Sequence, residues 1–433
     1  MKSTITISKM KTEFTLKKAT SFAGIKVVLD FFEKIQLAAA FQQLNVGKKD
    51  NSIFPMHKIL LYLVIGWTVG CVRLFHFRSL QQDALIQHVL GGRCPHHSLL
   101  YKELGRLATS TPTIKMDLKR LNYSLIDPYL PASLILDFDS TVETVYGNQE
   151  KATVGVNSHK RGRKSYHPIL VYEGKTRFLL NAELRSGNTH SSTGVIDFAN
   201  ETLDFLSSNR NVQYVRFDKG FGGEDFYSFW ENKKIGYVGK LKWTDRLKNE
   251  VAKCRYWKRF VDEDVIIEGI TMVYKATSWK KSRYVIVIRK APRYNEDQFQ
   301  FYDFFWEYEA IVTNLPWEPI DIWRFYNQRA CMENYIKEAK HGFSIDAIST
   351  SSFKANEVDL LLKLIAYNLY ERFKKNCCDP IHQGYTIARF RREFFHIAGV
   401  IVNHSRQVIL KLNQAFTNQY HWERMAQRVT LLE

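Results

Sequence analysis

The chain has 433 residues, of which 62 are Lys or Arg and 44 are Asp or Glu, giving a formal net charge of +18. Hydrophobic residues make up 45% of it, enough to bury a sizeable core, which excludes bulk disorder. The positive charge favours a polyanionic partner, either nucleic acid or a membrane surface, and does not choose between them.

The N-terminal residues carry several lysines but lack the compact apolar block of a signal peptide. The longest apolar run, at 59–71, is about 13 residues long, whereas a bilayer-spanning helix needs roughly 20. The six cysteines include no C-x-x-C pair, so we expect reduced thiols and no disulfide framework. These features predict a soluble protein, cytoplasmic or, in a eukaryotic host, nuclear, that does not span a membrane. The grouping of basic residues around a few isolated carboxylates, described below, then argues against a membrane partner.

Residues 1–125 have the pattern of a helical domain. Ser21 can cap a first helix whose apolar residues recur at helical spacing, and further helices are predicted over 56–70, 80–90 and 98–106. The glycines at 91 and 92 separate two short helices, which could form a helix-turn-helix that contacts DNA. The same shape is common in ordinary helical domains, so both interpretations stay open.

From residue 126 the pattern changes to mixed α/β. Strands are predicted over 133–139, 168–173, 176–184, 213–218 and 235–241, with helices over 193–206 and 224–230. Residues 242–309 are rich in aromatic and β-branched residues and predict an antiparallel β module. Helices are then predicted over 320–340 and 356–375, followed by a hairpin around Gly399 and Asn403.

The predicted helix over 320–340 carries Tyr326, Arg329, Glu333 and Lys340. At 100° per residue these four side chains fall in a stripe about 60° wide, which Lys337 widens slightly. Facing a cleft, one carboxylate aligned with Arg, Lys and Tyr can bind a metal ion and a phosphate. A solvated face with Glu–Lys pairs gives the same pattern, and on spacing alone it is the commoner explanation.

Two predicted strands end in aspartate, Asp139 in the first strand of the α/β region and Asp218 in the fourth. The carboxyl ends of neighbouring strands are where an α/β sheet presents its site. Magnesium is bound by a few such oxygens together with substrate phosphates. Aspartates that merely begin turns are the alternative.

Taken together, these motifs resemble those of the DDE transposases of bacterial insertion sequences, in the subgroup with a Tyr-x2-Arg-x3-Glu-x6-Lys signature. Tyr326, Arg329, Glu333 and Lys340 match that spacing without a gap. The resemblance extends to DFDST at 137–141, RSGN at 185–188, DKGF at 218–221 and TNL at 313–315, and covers roughly residues 130–370.

The resemblance implies a ribonuclease H-like mixed sheet with helices at 126–241 and 310–375. A β-rich insertion would occupy 242–309, a helical DNA-binding domain 1–125, and a further region 376–433. Asp139, Asp218 and Glu333 would be catalytic and bind two Mg²⁺ ions, with Mn²⁺ as a substitute. Tyr326, Arg329 and Lys340 would contact the phosphates of the transposon end, and Lys337 on the same stripe is a further expected DNA contact.

Asp137 competes with Asp139 for the role of first ligand, since residues two apart on a strand point to the same face. Asp139 is preferred because the family's first aspartate is usually followed by a small hydroxyl pair, here Ser140 and Thr141. Asp137 would then support the site or act as an extra ligand.

Further DNA contacts are expected from two basic segments. One is the loop with Lys160, Arg161, Arg163 and Lys164, although a solvated loop or a localisation tag fits it equally well. The other is Trp279 with Lys280, Lys281 and Arg283, since relatives use a tryptophan of this insertion to stack a flipped base. A core tryptophan is the commoner explanation, and Trp243 and Trp257 compete for the same role.

The favoured hypothesis is therefore a DNA transposase that cleaves double-stranded DNA at terminal inverted repeats and transfers the 3′-hydroxyl into target DNA. It would be bacterial and nucleoid-associated, and it would act as a homodimer on DNA. The alternatives are a non-catalytic DNA-binding regulator derived from a transposase and a stand-alone ribonuclease H-like nuclease.

Overall fold

Most of the N-terminal region is helical in the structure, a computed structural model that describes residues 10–44, 46–49, 51–157, 160–262, 265–292 and 306–432. A short strand comes first, β1 (Ala19–Thr20). Six helices follow it: α1 (Lys26–Lys34), α2 (Leu37–Gln42), α3 (Met56–Val69), α4 (Ala84–Val89), α5 (His97–Ala108) and α6 (Ile114–Ile126). The expected pair of short helices is present as α4 and α5, and its contact with DNA stays a prediction.

The central region alternates strands and helices. Its first part comprises β2 (Ser133–Ser140), β3 (Glu143–Thr144), β4 (Thr153–Val154), β5 (Lys164–Tyr166), β6 (Ile169–Glu173), β7 (Leu179–Glu183), α7 (Val195–Phe205), β8 (Asn211–Phe217), α8 (Glu224–Asn232) and β9 (Gly236–Lys240). Then come α9 (Asp245–Ala252), β10 (Lys258–Asp262), β11 (Val265–Tyr274), β12 (Arg283–Pro292) and β13 (Glu307–Thr313).

The C-terminal part consists of helices and one hairpin. It comprises α10 (Pro319–Asn327), α11 (Ala330–Phe343), α12 (Phe353–Cys377), α13 (Pro380–Gln383), α14 (Ile387–Phe390), β14 (Gly399–His404), β15 (Gln407–Leu412) and α15 (Gln419–Thr430). The hairpin predicted around Gly399 and Asn403 is formed by β14 and β15, and β1 pairs with β14.

Nine strands form one mixed sheet in the order β10-β11-β12-β13-β9-β8-β2-β6-β7. Strand β2 is parallel to β8, and β8 to β9, whereas all the other pairs are antiparallel. The part β7-β6-β2-β8-β9, with its first strand in the centre, has the arrangement of a ribonuclease H-like sheet. The predicted fold class is confirmed.

The strands of 242–309 are antiparallel, as expected, and they continue the central sheet. Strand β13 pairs with β12 on one side and with β9 on the other, so the β segment extends the central sheet edge to edge. The proposed division of the chain into domains stays a prediction.

The two faces of the sheet follow from alternation along each strand. Leu134, Leu136 and Phe138 of β2 point into a core with helices α7 and α8. The intervening residues, Asp137 and Asp139, therefore point to the opposite face, where α10 and α11 lie. The sheet thus presents the candidate carboxylates to these two helices.

Helix α12 has 25 residues and contacts both the N-terminal helices and the central sheet. It packs against α3, α5, α6 and α15 and touches β7. Asn368 of α12 donates to the carbonyl of Leu179 in β7 at 2.8 Å and to the Asn122 side chain of α6 at 2.7 Å. One buried side chain thus joins three elements from distant parts of the chain.

The prediction of one helix over 320–340 is wrong. Helix α10 ends at Asn327 and α11 begins at Ala330, with Gln328 and Arg329 in a tight turn between them. The amide of Arg329 donates to the carbonyl of Tyr326, and that of Met332 to the carbonyl of Arg329, at the i−3 spacing of a tighter helix. The break lets Arg329 turn inward to the end of β2.

The apolar run at 59–71 lies largely in α3, which is buried on most sides by other helices. Among the residues that the structure describes, no helix combines the length and apolarity needed to cross a bilayer.

Candidate active site

Asp139 and Asp218 lie side by side at the ends of two parallel strands. Phe138 of β2 is the register partner of Phe217 of β8, so the next residues on each strand are Asp139 and Asp218. Parallel neighbours in register point to the same face, which brings the two carboxylates together as expected.

Glu333 comes to the same place from the first turn of α11. Burial raises the pKa of Asp139, and the negative charges of Asp218 and Glu333 raise it further, while Arg329 opposes the shift. The three carboxylates predicted from the sequence are therefore close enough to act on one another. They form a concentration of negative charge suited to a hard divalent cation.

Arg329 links α11 to the end of β2. Its Nη2 donates to the carbonyl of Phe138 at 2.9 Å and lies 3.1 Å from Oδ2 of Asp139. Although burial favours the neutral form, the charge of Asp139 raises the pKa of Arg329. In this structure the guanidinium orients the first carboxylate, and a contact from Arg329 to a DNA phosphate stays a prediction.

Tyr326 is buried at the end of α10 beside the carboxylates. Burial raises the pKa of its hydroxyl, with added contributions from Asp218 and Asp139. The Nζ of Lys240, at the end of β9, lies 5.3 Å from the centre of its ring. Lys240 was not among the predicted residues, although it follows the same strand-end rule that indicated Asp139 and Asp218.

Asp137 has a different partner. Its two carboxylate oxygens accept from Nε and Nη2 of Arg216, both at 2.7 Å, in a buried bidentate pair. Arg216 also donates through Nη1 to the carbonyl of Phe325 at 2.7 Å, which ties α10 to β8. Asp137 is neutralised by one buried bidentate guanidinium, whereas Asp139 lies beside Asp218 and Glu333, so this geometry favours Asp139 as the metal ligand.

The ion pair of Asp137 and Arg216 leaves no room for a side chain at Gly174. A Cβ at this position would lie 2.7 Å from Nη2 of Arg216 and 2.9 Å from Oδ2 of Asp137. Any side chain there would displace the ion pair, which accounts for glycine in the turn between β6 and β7.

The two lysines of α11 have different surroundings. Lys340 is half-buried and acts electrostatically on the buried Glu143, whereas Lys337 is exposed and lines a cleft of about 540 Å³ with Arg177, Tyr335 and residues of α12. The cleft lining as described does not include the three carboxylates. A DNA contact for either lysine stays a prediction.

The basic loop before β5 is exposed. Lys160, Arg161, Arg163 and Lys164 all face solvent, and Lys160 donates to the hydroxyl of Tyr146. No carboxylate of the described residues forms an ion pair with any of the four. Their charges are free for a polyanion, and that role is untested by the structure.

The expected DNA contacts of Trp279 and Arg283 do not agree with the structure. Trp279 is only 5% exposed and packs edge-on against Tyr227 and Tyr274. Arg283 is equally buried and pairs with Glu224 at 2.7 Å and Glu231 at 2.8 Å. In this structure neither side chain is accessible to DNA, because the tryptophan belongs to the core and the arginine is neutralised inside it.

The two neighbouring lysines are exposed. Lys281 pairs with Glu231 at 2.8 Å, and the backbone amide of Lys280 donates to Glu224 at 3.0 Å. Of the competing tryptophans, Trp243 is half-buried and stacks on Tyr308, and Trp257 is half-buried with Arg289 4.3 Å above its ring. These two rings are more accessible than Trp279.

Other motif residues hold the strands and loops around the site. Arg185 donates to the carbonyls of His167, Ser191 and Thr193 and so fixes the loop after β7. Asn314 bonds the amide of Tyr237 and the carbonyl of Ile235, which locks the end of β13 against β9. These motifs are structural supports of the site.

The sheet order defines the class, a ribonuclease H-like domain, and the three carboxylates converge at the ends of its central strands. The chain belongs to the transposase family whose model is described as transposase DDE domain group 1, and the match spans residues 2–433.

Among solved structures, one similar chain is a piggyBac transposase in a synaptic complex with hairpin DNA, determined by cryo-electron microscopy. It is 11% identical, with a TM-score of 0.46, and the alignment covers 86% of this chain and 79% of that chain. Among curated proteins, none matches significantly.

Proposed function

We propose that this protein cleaves phosphodiester bonds at transposon ends and then joins the freed 3′-hydroxyl to target DNA. Hydrolysis at the element's end leaves a 3′-hydroxyl. That hydroxyl then attacks a target phosphodiester and displaces the target strand's own 3′-oxygen, without a covalent protein–DNA intermediate. The observation that carries the proposal is the convergence of Asp139, Asp218 and Glu333 from β2, β8 and α11 in a member of the DDE transposase family.

The donor set fits divalent metal ions. Three carboxylates supply the oxygen ligands that magnesium prefers, and their mutual repulsion leaves a negative charge that a cation would neutralise. When bound, two Mg²⁺ ions, or Mn²⁺ in their place, supply activation of the attacking oxygen and stabilisation of the leaving oxygen.

The chain's own groups orient the ligands and the substrate. Arg329 holds Asp139 from one side, and the Asp137–Arg216 pair holds α10 and therefore Tyr326. The phosphate backbone would lie along Tyr326, Lys340 and the basic loop at 160–164, since lysine and arginine bind phosphates in any sequence.

The partner we propose is double-stranded DNA, both the terminal inverted repeats and the target, with a homodimer bridging two ends. The similar piggyBac structure is itself described as a synaptic complex with DNA. The place of action would be the bacterial cytoplasm, on the nucleoid.

Glu333→Gln tests the proposal, because it keeps the size of the side chain and removes its charge. The variant should bind end DNA with unchanged affinity and lose cleavage in Mg²⁺ by at least about 10³-fold, measured on a labelled end duplex. Asp321→Asn is the matched control, since Asp321 is an exposed carboxylate of α10, and it should cleave normally.

Three outcomes would overturn the proposal. Normal cleavage by Glu333→Gln would exclude Glu333 as a ligand. End-specific binding by the wild type without nicking in any divalent metal would indicate the regulator. Cleavage that never yields joined donor and target strands would indicate the nuclease.

A further inference from the structure

A second group of possible metal ligands lies outside the acidic site, between α13 and α15. Asp379, His382 and His421 place one ligand atom each within 4.8 Å of one another. Asp379 immediately precedes the short helix α13, His382 lies within it, and His421 comes from the first turn of α15. The two segments are distant in sequence and meet at the C-terminal end of α12.

The three side chains converge on one another. Nδ1 of His421 lies 3.1 Å from Oδ2 of Asp379, close to the separation of about 3.3 Å between two ligands of a tetrahedral zinc ion. The rings of His382 and His421 are 4.6 Å apart and nearly perpendicular, so both imidazoles border the same space.

His382 has an unused nitrogen. The residue is 5% exposed, and its Nδ1 is buried with no hydrogen-bond partner in the described part of the chain. A buried imidazole nitrogen without a partner is costly, and a metal ion would satisfy it.

One carboxylate oxygen of Asp379 points toward the two imidazoles. It occupies the position before α13 where an aspartate normally caps the helix, yet its side chain makes no capping hydrogen bond. Instead Oδ1 accepts from Arg428 at 2.5 Å and lies 3.3 Å from Arg424, which leaves Oδ2 facing His421. An outer hydrogen bond of this kind fixes the orientation of a ligating carboxylate.

We propose that Asp379, His382 and His421 bind one Zn²⁺ ion, with a fourth position open to water. Two imidazoles and one carboxylate favour zinc over magnesium, since nitrogen ligands select the softer ion. His421 is partly exposed, so the ion can enter from solvent. The bound ion would fasten α15 to α13 and thus to the end of α12.

The ion pair between His421 and Asp379 is the competing explanation of the cluster. The nearby Arg424 and Arg428 add positive charge and weaken the attraction for a cation, which lowers the expected affinity without removing the ligand set. The two explanations differ in whether Zn²⁺ binds at all.

The test is Zn²⁺ binding to the purified chain in excess Mg²⁺, which competes with Zn²⁺ for the acidic site. Isothermal titration calorimetry on the wild type should give one Zn²⁺ site, and Zn²⁺ should raise the midpoint of thermal unfolding. In His421→Ala the affinity for Zn²⁺ should fall at least about tenfold and the thermal shift should disappear, because a direct ligand is removed. Asp379→Asn should behave in the same way.

The control is His404→Ala, which removes an exposed histidine of the β14–β15 hairpin and should bind Zn²⁺ like the wild type. Equal Zn²⁺ affinity in the wild type and His421→Ala, or no Zn²⁺ site in the wild type, would overturn the proposal. Neither result depends on DNA cleavage, so the proposed transposase activity stands or falls separately.

Discussion

Asp137 and Asp139 are two residues apart on one strand and face the same side, yet they serve different purposes. Asp139 has Asp218 and Glu333 as neighbours, offset by Arg329 and by the backbone amide of Ser140, whereas both oxygens of Asp137 are held by the buried guanidinium of Arg216. The surroundings of Asp139 favour the binding of a cation, whereas the Asp137–Arg216 pair joins β2 and β8 to α10.

Substitution of the two aspartates should therefore have opposite consequences. Asp137→Ala leaves Arg216 buried without its partner, and we expect a loss of about 3–5 kcal/mol in the free energy of unfolding. Asp139→Asn keeps a hydrogen-bond acceptor for Arg329 and should unfold within about 1 kcal/mol of the wild type while losing cleavage. Urea denaturation and cleavage assays on both variants measure the difference.

The double variant Asp137→Leu, Arg216→Met serves as the control, because removal of both charges should restore part of the stability. A stable Asp137→Ala protein that fails only in cleavage would instead assign Asp137 to the metal site.

Glu143 is a buried carboxyl whose two oxygens have no hydrogen-bond partner among the described residues. Burial raises its pKa to about 8, from 4.5, in spite of the nearby Lys363 and Lys340. The folded state therefore holds a proton that the unfolded state releases above pH 4.5. Its contribution to stability is complete below that pH and is lost as the pH rises to about 8.

We expect Glu143→Gln to flatten the pH dependence of unfolding between about pH 5 and 8, where the wild type should lose up to about 1.4 kcal/mol per pH unit from this group. Unfolding by urea at several pH values measures it. The exposed Glu13→Gln is the control and should follow the wild type. Parallel curves for the wild type and Glu143→Gln would contradict the raised pKa.

At the residue scale, strand ends indicated Asp139 and Asp218, and the resemblance to the family signature indicated Glu333, because both are local patterns in the sequence. It could not predict the Asp137–Arg216 pair or the approach of Lys240 to Tyr326, since these interactions depend on which strands become neighbours. The burial of Trp279 likewise depends on the tertiary fold and could not be predicted from its sequence neighbours. Positive residues surround it in the sequence, but the adjacent Arg283 turns inward to two glutamates of α8.

At the element scale, helical periodicity predicted both α10 and α11 but not the turn between them. Gln328 and Arg329 keep right-handed helical backbone angles, but the hydrogen bonds tighten to i−3 there. The partners of the Arg329 side chain, Asp139 and the carbonyl of Phe138, lie on a strand far away in sequence. Similarly, alternation predicted antiparallel strands in 242–309 but not that β13 would pair with β9.

The burial of Trp279, a residue of the β11–β12 connection, leads to a prediction at this scale. Trp279→Ala should lower the free energy of unfolding by about 3–5 kcal/mol through the cavity it leaves, with DNA affinity unchanged in the folded fraction. Trp243→Ala, at a half-buried ring, should cost less stability. Denaturation curves and gel-shift titrations on both variants separate packing from DNA contact.

A loss of DNA affinity in a stably folded Trp279→Ala protein would restore the stacking role. A loss confined to Trp243→Ala would assign that role to the stacked pair with Tyr308.

At the scale of the whole molecule, the structure shows where the groups behind the net charge of +18 lie. Some arginines, such as Arg216, Arg283 and Arg329, are buried and paired with carboxylates inside the fold. The exposed cations include those of the loop at 160–164. Net charge alone predicted a polyanionic partner, but only the structure separates cations that are free from those that are paired.

DNA binding should therefore weaken steeply with salt, and the loop should account for part of the slope. Replacement of Lys160, Arg161, Arg163 and Lys164 by alanine should reduce the slope of log affinity against log salt by up to about 0.9 for each phosphate that the variant no longer neutralises. Fluorescence anisotropy between about 50 and 300 mM salt measures it. The control replaces Lys248 and Lys253, whose charges are paired with Asp245 and Glu250, and should leave the slope nearly unchanged.

An unchanged slope in the loop variant would place the DNA elsewhere and would support the interpretation of 160–164 as a solvated loop.

Helix α12 also bears on the order in which the site can assemble during synthesis. It is made after the last of the three carboxylates, yet the N-terminal helices and β7 both rest on it. A growing or prematurely terminated chain that ends before residue 353 has every acidic residue of the site but no support for the sheet that aligns them. We therefore expect the three carboxylates to become aligned only late in translation, once residues 353–377 have been made.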